Sequence, residues 1–230
     1  MKKLWVFLLA VVLLAGCNPP TPPEKPNPPD DQPNGYESSI DDVVDGDTVH
    51  LKNPVLGTTK VRMLSIDAPE TNYQGKSQGK YGEEAKVYLK QLLPEGTKVK
   101  VIPGKQAKDD YGRLLAYIQK GDMDVNREMI LQGKAVPYII YPNFERVQPY
   151  LDSLNEAKKD GRGIWNPDDP LEELPYEFRL RVGHRQPDKY AGNYKTKEYV
   201  EPDQYKDILI EQRVFFWNEE DAKKAGYKKK

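Results

Sequence analysis

The sequence predicts a mainly β domain, a small closed five-stranded barrel with three helices, placed between an export segment and a small tail. Short runs rich in β-branched residues, separated by turn residues, lie between residues 43 and 119. Only three segments within residues 36–166 have the apolar spacing of amphipathic helices. A chain of 230 residues has room for one such domain and an appendage. A net charge of -1 excludes a strongly basic protein that coats nucleic acid.

The strands are predicted from their composition and their turns. Two β-branched runs flank Asp45-Gly46 within residues 43–51, which is the signal of a hairpin. Three further strands are predicted at residues 58–66, 97–103 and 113–119. Five short strands with few helices are typical of a barrel of the OB type.

The helices are predicted from apolar residues that recur every three or four positions. The segments are residues 82–93, residues 125–132, which Gly133 ends, and residues 145–159. The proline- and acid-rich run at residues 167–175 then marks a boundary, so the barrel domain is expected to span residues 36–166.

The first 35 residues predict export. Two lysines precede an apolar run from Leu4 to Leu14, which is shorter than the roughly 20 residues of a membrane-spanning helix. The run ends in Leu-Ala-Gly-Cys and resembles the bacterial lipobox, so residues 1–16 are expected to be a signal peptide and Cys17 the lipidated residue. An ordinary secretory signal with an incidental cysteine is the alternative. We expect an exported protein held by lipid on the outer face of a bacterial cell membrane.

Cysteine and proline usage supports this organisation. Cys17 is the only cysteine, so an intramolecular disulfide and a cysteine-ligated metal site are both excluded. Residues 18–35 are dense in proline and polar residues and are expected to form, with Cys17, a linker. In extended polyproline geometry such a linker would reach on the order of 50 Å.

Residues 167–230 predict a small, semi-independent α+β module of unknown function. The run at residues 213–217 predicts a strand, Asn218 a helix N-cap, and Gly226 the end of that helix. This tail faintly resembles an Ada-type metal-binding module. It has no cysteine ligand, so a zinc site is not expected there.

Charged residues at the ends of predicted strands indicate a catalytic site. Asp47 follows the hairpin turn, and Asp67 stands at the end of a strand. Pro69 then fixes the backbone, so that the side chain of Glu70 points in a different direction from that of Asp67. If the two aspartates meet, they form with a backbone carbonyl a hard oxygen site suited to Ca²⁺. Glu70 beside it would accept a proton from water.

Arg62 and Arg113 complete this predicted site. The planar guanidinium offers a fork of donors that matches phosphate oxygens, so the two arginines would form a clamp around a phosphorus centre. Either arginine taken alone could instead belong to a surface ion pair.

Six motifs in this order resemble the thermonuclease (staphylococcal nuclease) family across residues 36–166. They are VDGDTV, VRMLSIDAPET, KYGEEA, DYGRLLAYI, VNREMILQGKA and GRGIW. The resemblance implies a five-stranded OB-fold barrel with three helices and Ca²⁺-dependent cleavage of DNA and RNA that leaves 3'-phosphate ends. It assigns Asp47 and Asp67 to the calcium carboxylates, Ala68 to a main-chain ligand, Glu70 to the general base, and Arg62 and Arg113 to the catalytic arginines.

The chain departs from the family pattern at two positions. Ala68 stands where relatives have threonine, which is tolerable because the ligand is the main-chain oxygen. Asp110 stands where relatives have lysine, so weaker substrate binding with retained chemistry is expected. Tyr111 and Tyr141 are similar to family tyrosines that flank the bound nucleotide and could stack a base, whereas Tyr138 is one position out of register.

Two other classes of function compete with a nuclease. One is a non-catalytic OB-fold module on the cell surface that binds nucleic acid or glycans, and the other is a structural domain stabilised by calcium. The presence of all five charged site residues favours the enzyme. We expect a monomer without a protein partner.

Overall fold

A closed five-stranded barrel forms the larger part of the computed structural model, which describes residues 35–230 of the chain. The strands of this part are, in chain order, β1 Tyr36–Val43, β2 Thr48–Val55, β3 Thr58–Met63, β4 Ile66–Asp67, β5 Lys98–Lys108, β6 Leu114–Lys120, β7 Met123–Asp124 and β8 Val136–Pro137. The sheet runs in the order β3-β2-β1-β5-β6, and β6 pairs with β3 in parallel to close the barrel. The predicted fold class is confirmed.

The barrel closes around alternate apolar side chains. Ile40, Val49, Val61, Val101 and Ile118 are fully buried, one from each barrel strand. The first strand is longer than predicted: it begins at Tyr36, whereas the sequence pointed only to the β-branched pair at residues 43–44. Polar residues occupy most of its positions, which hides its alternation.

The three predicted helices are present, and none of their ends is shifted by more than two residues. They are α1 Lys80–Leu92, α2 Val125–Leu131 and α3 Val147–Lys159. The Asp124 side chain caps α2 by accepting a hydrogen bond from the backbone N–H of Arg127. Gly133 follows α2 with a positive φ of 61°, which confirms its predicted role.

The tail forms a second, four-stranded sheet with two helices. Its elements are α4 Pro175–Val182, β9 Tyr190–Asn193, β10 Glu198–Val200, β11 Arg213–Phe216, α5 Glu219–Lys224 and β12 Lys228–Lys229, and the sheet order is β11-β9-β10-β12. The predicted strand is β11. The Asn218 side chain caps α5 by accepting from the N–H of Asp221, and Gly226 follows that helix with a positive φ.

The expectation that the tail is semi-independent is wrong, because β11 is hydrogen-bonded to residues 139–141 and contributes a side chain to the barrel core. The N–H of Phe215 donates to the carbonyl of Ile139 (2.8 Å), and the N–H of Tyr141 donates to the carbonyl of Phe215 (2.9 Å). Phe216 belongs to the same hydrophobic core as the barrel residues, and Phe215 belongs to a second core shared with α4. The tail and the barrel therefore share buried surface.

Several predictions concern residues outside the described part of the chain. The signal peptide at residues 1–16, the lipid attachment at Cys17 and nearly all of the linker at residues 17–35 lie there. Across residues 35–230, every helix is too short or too polar to cross a membrane.

Candidate active site

Four charged side chains meet where β2 begins and where β3 and β4 end. Arg62 on β3 places its Nη2 atom 3.1 Å from Asp47 Oδ2 and 3.1 Å from Asp67 Oδ1. Asp47 precedes β2, whose first residue pairs with Arg62, and Asp67 ends β4. Glu70 lies three residues beyond Asp67 and is linked to it through a further arginine described below. The structure thus brings together Asp47, Arg62, Asp67 and Glu70.

The Arg62 guanidinium also holds the turn between β3 and β4. Its Nη1 atom donates to the carbonyls of Met63 (2.7 Å) and Ile66 (2.9 Å). The side chain is only 14% exposed. Its donors therefore fix the direction in which the chain enters β4, and this sets the position of Asp67.

Asp47 is buried and held from several sides. Its Oδ2 accepts from the N–H of Ala68 (2.9 Å), and its Oδ1 accepts from the hydroxyl of Thr48 (3.1 Å). Gly46 allows this close approach, because a Cβ atom there would lie 2.6 Å from the Cβ of Ala68 and 2.8 Å from the Cβ of Ala85. The glycine of the Asp-Gly pair thus serves the site as well as the turn.

Asp45 adds a carboxylate that was predicted only as part of the hairpin turn. Its Oδ1 accepts from the N–H of Asp47 (3.0 Å). Burial and then the charge of Asp47 raise the pKa of Asp45 to about 7. Its position two residues before Asp47 was a signal that could have identified it.

Glu70 is half-buried in a loop braced by Gln78. The N–H of Glu70 donates to Gln78 Oε1 (3.0 Å), and the N–H of Gln78 donates back to the Glu70 carbonyl (2.9 Å). Gln78 Nε2 also donates to the carbonyl of Glu173 (2.6 Å), which ties this loop to the tail. Burial raises the pKa of Glu70, while the charge of Arg179 acts against that shift.

Arg179 on α4 enters the site from the tail, and sequence reasoning missed it. Its Nη1 atom lies 2.8 Å from Asp67 Oδ1 and 2.7 Å from Glu70 Oε1, and its Nη2 lies 2.9 Å from Asp67 Oδ2. The guanidinium carbon lies 5.9 Å from the centre of the Tyr138 ring. Burial lowers the pKa of Arg179, but Asp67 and Glu70 outweigh burial and hold that pKa above its ordinary value.

Arg113 does not share these contacts. Its Nε donates to Asp109 Oδ2 (2.8 Å), and its guanidinium lies 5.7 Å from the centre of the Tyr111 ring. Arg62 pairs with Leu115 across β3 and β6. Arg113 lies just before β6 and two residues before Leu115, so it is close to Arg62 along the neighbouring strand. Its convergence on the carboxylates stays a prediction.

The two predicted stacking tyrosines have different surroundings. Tyr111 is 86% exposed in the turn before β6, so its ring is open to solvent. Tyr141 is half-buried, and its ring lies 5.6 Å from that of Phe144 and 6.1 Å from that of Phe216. Tyr141 therefore packs beneath the tail, a role that the sequence did not predict, and base stacking by either tyrosine stays a prediction.

The donors at this site fit a calcium ion by their chemistry. Asp47 and Asp67 present carboxylate oxygens, and the hydrogen bond to Asp47 brings the backbone of Ala68 beside them. Hard cations such as Ca²⁺ prefer such oxygen ligands and accept water in the remaining positions. In the described residues no three acidic, histidine or cysteine side chains form a ligand group. The aspartate pair would therefore depend on main-chain oxygen and water as well.

Comparisons with known proteins find similarity to nucleases. A family model described as "Staphylococcal nuclease homologue" matches residues 60–167. The thermonuclease of Staphylococcus hyicus is 32% identical over 124 residues, which are 54% of this chain and 72% of that protein. The endonuclease YncB of Bacillus subtilis is 32% identical over 129 residues, 56% of this chain and 61% of that protein.

A further relative extends the similarity into the tail. The endonuclease YhcR of Bacillus subtilis is 45% identical over 215 residues, which are 90% of this chain and 18% of that protein. A match over nine-tenths of the chain must extend beyond residue 166. The chain spans less than two thirds of several relatives that it matches, including YhcR and YncB.

Proposed function

This chain belongs to the staphylococcal nuclease family, and from that premise we propose that it is a Ca²⁺-dependent nuclease that hydrolyses phosphodiester bonds of DNA and RNA. The observation that carries the proposal is the meeting of Asp47 and Asp67 on one nitrogen of Arg62, with Glu70 beside them. A purely structural calcium site would have no use for the arginine or for Glu70. The complete set favours catalysis.

Glu70 is the proposed general base. Burial raises the pKa of its carboxylate, and a carboxylate with a raised pKa is a stronger proton acceptor. The loop that Gln78 braces keeps Glu70 beside the aspartates without making it a necessary ligand. Its proposed role is to take the proton from the water that attacks phosphorus.

Arg62 is proposed to stabilise negative charge on the phosphoryl oxygens. Its guanidinium is already oriented by two backbone carbonyls, so little reorganisation is required when charge develops nearby. Arg113 is proposed to be the second phosphate donor. It would have to exchange Asp109 for the phosphate, which its position in an exposed turn permits.

Asp47, Asp67 and the main-chain oxygen of Ala68 are the proposed ligands of Ca²⁺. When bound, the ion supplies positive charge that stabilises the transition state of phosphoryl transfer. Tyr111, with its ring open to solvent, is proposed to stack against a base, and Tyr141 is the second, more enclosed, proposed contact.

The test is digestion of plasmid DNA and of RNA with Ca²⁺ and with a chelator, followed by analysis of the cleaved ends. We expect activity that requires the ion and leaves 3'-phosphates. Glu70→Gln should lower turnover about 100-fold or more, whereas Glu83→Gln, an exposed acid on α1, should leave it unchanged. Cleavage that ignores the chelator would refute the metal assignment. Binding without cleavage would favour the non-catalytic module.

We further propose that the chain is exported and held at the outer face of a bacterial cell membrane by lipid on Cys17. The lipobox-like sequence before this cysteine supports the proposal. The measurement is metabolic labelling with palmitate. Label is expected on the unaltered protein and not on Cys17→Ala, and equal labelling of both would refute it.

A further inference from the structure

An arginine of the tail, Arg179, contacts two carboxylates of the candidate active site. The guanidinium of Arg179 contacts both oxygens of Asp67 and one oxygen of Glu70, at 2.7 to 2.9 Å. Asp67 is fully buried, and Arg62 already donates to its Oδ1. Both oxygens of Asp67 therefore have guanidinium donors.

These contacts compete with the roles proposed for the same two side chains. A fork that binds both oxygens of a carboxylate occupies the edge through which that carboxylate would bind a divalent cation. A charged donor on Glu70 also favours its ionised form and so weakens it as a proton acceptor. A guanidinium and Ca²⁺ at the same carboxylates would in addition repel each other.

We propose that Arg179 is an autoinhibitory cation that competes with Ca²⁺ for Asp67 and at the same time pairs with the proposed base Glu70, so that the tail restrains the active site until the ion displaces the guanidinium. The inference rests on the function proposed above. It assigns the tail a regulatory role through helix α4.

The surroundings of Arg179 suit a contact that forms and breaks. The backbone of α4 is anchored by the buried side chains of Tyr176 and Leu180, which belong to the smaller core. The Arg179 side chain itself is 18% exposed, so it has a path to solvent. A long, flexible side chain can leave by rotation while the helix stays in place. Release of the carboxylates therefore requires only that the Arg179 side chain rotate, and not that the tail unfold.

The neighbouring arginine on the same helix is a matched control. Arg181 is 62% exposed and pairs with Glu173, away from the carboxylates. Arg181→Met removes the same charge from the same helix without opening the site. A difference between the two variants therefore reports the contact with Asp67 and Glu70 and not the net charge of the tail.

The experiment is calorimetric titration of Ca²⁺ into the protein, without nucleic acid, for the unaltered chain, Arg179→Met, Arg179→Lys and Arg181→Met. Removing one positive charge in contact with the ligands should tighten Ca²⁺ binding about tenfold or more in Arg179→Met. Arg179→Lys keeps the charge but loses the fork, so an intermediate change is expected. Arg181→Met should bind as the unaltered chain does. If Arg179→Met fails to fold, the Arg179→Lys comparison decides the matter.

Equal or weaker Ca²⁺ binding by the Arg179 variants would overturn the inference and would identify Arg179 as a support for the carboxylates. Absence of Ca²⁺ binding in every variant would overturn it as well, together with the metal assignment. The nuclease assay separates the two proposals. Tighter Ca²⁺ binding without any cleavage of DNA supports the competition between Arg179 and Ca²⁺ and refutes the nuclease, and with it the inhibitory role. Cleavage by the unaltered protein, with unchanged Ca²⁺ affinity in the Arg179 variants, supports the nuclease and refutes the competition.

Discussion

Replacing Phe216 by alanine should destabilise the barrel and the tail together. Phe216 lies on β11 and is fully buried. Its ring centre lies 4.8 Å from that of Tyr227, 5.7 Å from that of Phe144 and 6.1 Å from that of Tyr141. Phe144 and Tyr141 precede the predicted boundary at residue 166, whereas Tyr227 belongs to the tail. The side chain therefore joins the two parts of the chain.

The expected cost follows from the size of the cavity that the ring would leave. Truncating a buried phenylalanine to alanine lowers the free energy of unfolding by about 3 to 5 kcal/mol. For a protein of this length each kcal/mol corresponds to about 2 to 4 °C, so the melting temperature should fall by roughly 6 to 20 °C. Leu209→Ala, at an exposed position of the tail, should cost within about 0.5 kcal/mol.

The assay is urea unfolding followed by fluorescence, since Trp165 reports on the end of the barrel domain and Trp217 lies beside Phe216 in the tail. Single-tryptophan variants would follow each region separately. Both probes should show one transition that shifts together in Phe216→Ala. A loss below about 1 kcal/mol, far less than the 3 to 5 kcal/mol typical of such truncations, would refute the shared core. The shared core would also be refuted if the tail unfolded first and the barrel transition in Phe216→Ala remained at the urea concentration of the unaltered protein.

Three further predictions concern the site. Arg62→Lys keeps the charge but loses the fork that contacts the carbonyls of Met63 and Ile66, so we expect about 1 to 3 kcal/mol lower stability by urea unfolding and reduced turnover; unchanged values would show that the fork is unnecessary. Adding Ca²⁺ at about 100 times its dissociation constant should stabilise the protein by about 2.7 kcal/mol, and chelation should reverse this in a thermal melt; a melting temperature indifferent to Ca²⁺ would argue against the site. Asp110→Lys introduces a positive charge near the exposed turn and should lower KM with little change in kcat, whereas a change in kcat alone would contradict a role in substrate binding.

How far the sequence could predict the fold depended on how regular each pattern is. The barrel strands β2, β3, β5 and β6 have β-branched or apolar alternation, and α1 and α3 have clear helical spacing, so both kinds of element were predicted. Helix α4 was not. Its buried residues Tyr176, Phe178 and Leu180 are spaced by two, which is the period of a strand, and only Pro175 at its first position indicated a helix.

The same distinction applies to the site. Asp47, Asp67 and Glu70 stand at turns and strand ends, where a short motif already indicates their chemistry. The position of Arg113 relative to them depends on a turn whose side chains pair locally, since Asp109 binds its guanidinium. No local sequence pattern indicates that Arg113 binds Asp109 in place of the carboxylates of the site.

By itself the sequence determined the barrel, its three helices and the acidic residues with Arg62, because hydrophobic periodicity and turn chemistry act over a few residues. Only the tertiary structure decided that the tail joins the barrel core and that Arg179 lies on Asp67 and Glu70. The contacts of Arg179 join residues more than 100 positions apart, and those of Phe216 with Tyr141 and Phe144 join residues more than 70 positions apart. They form because burying apolar surface and neutralising buried carboxylates are favourable wherever in the chain the partners come from.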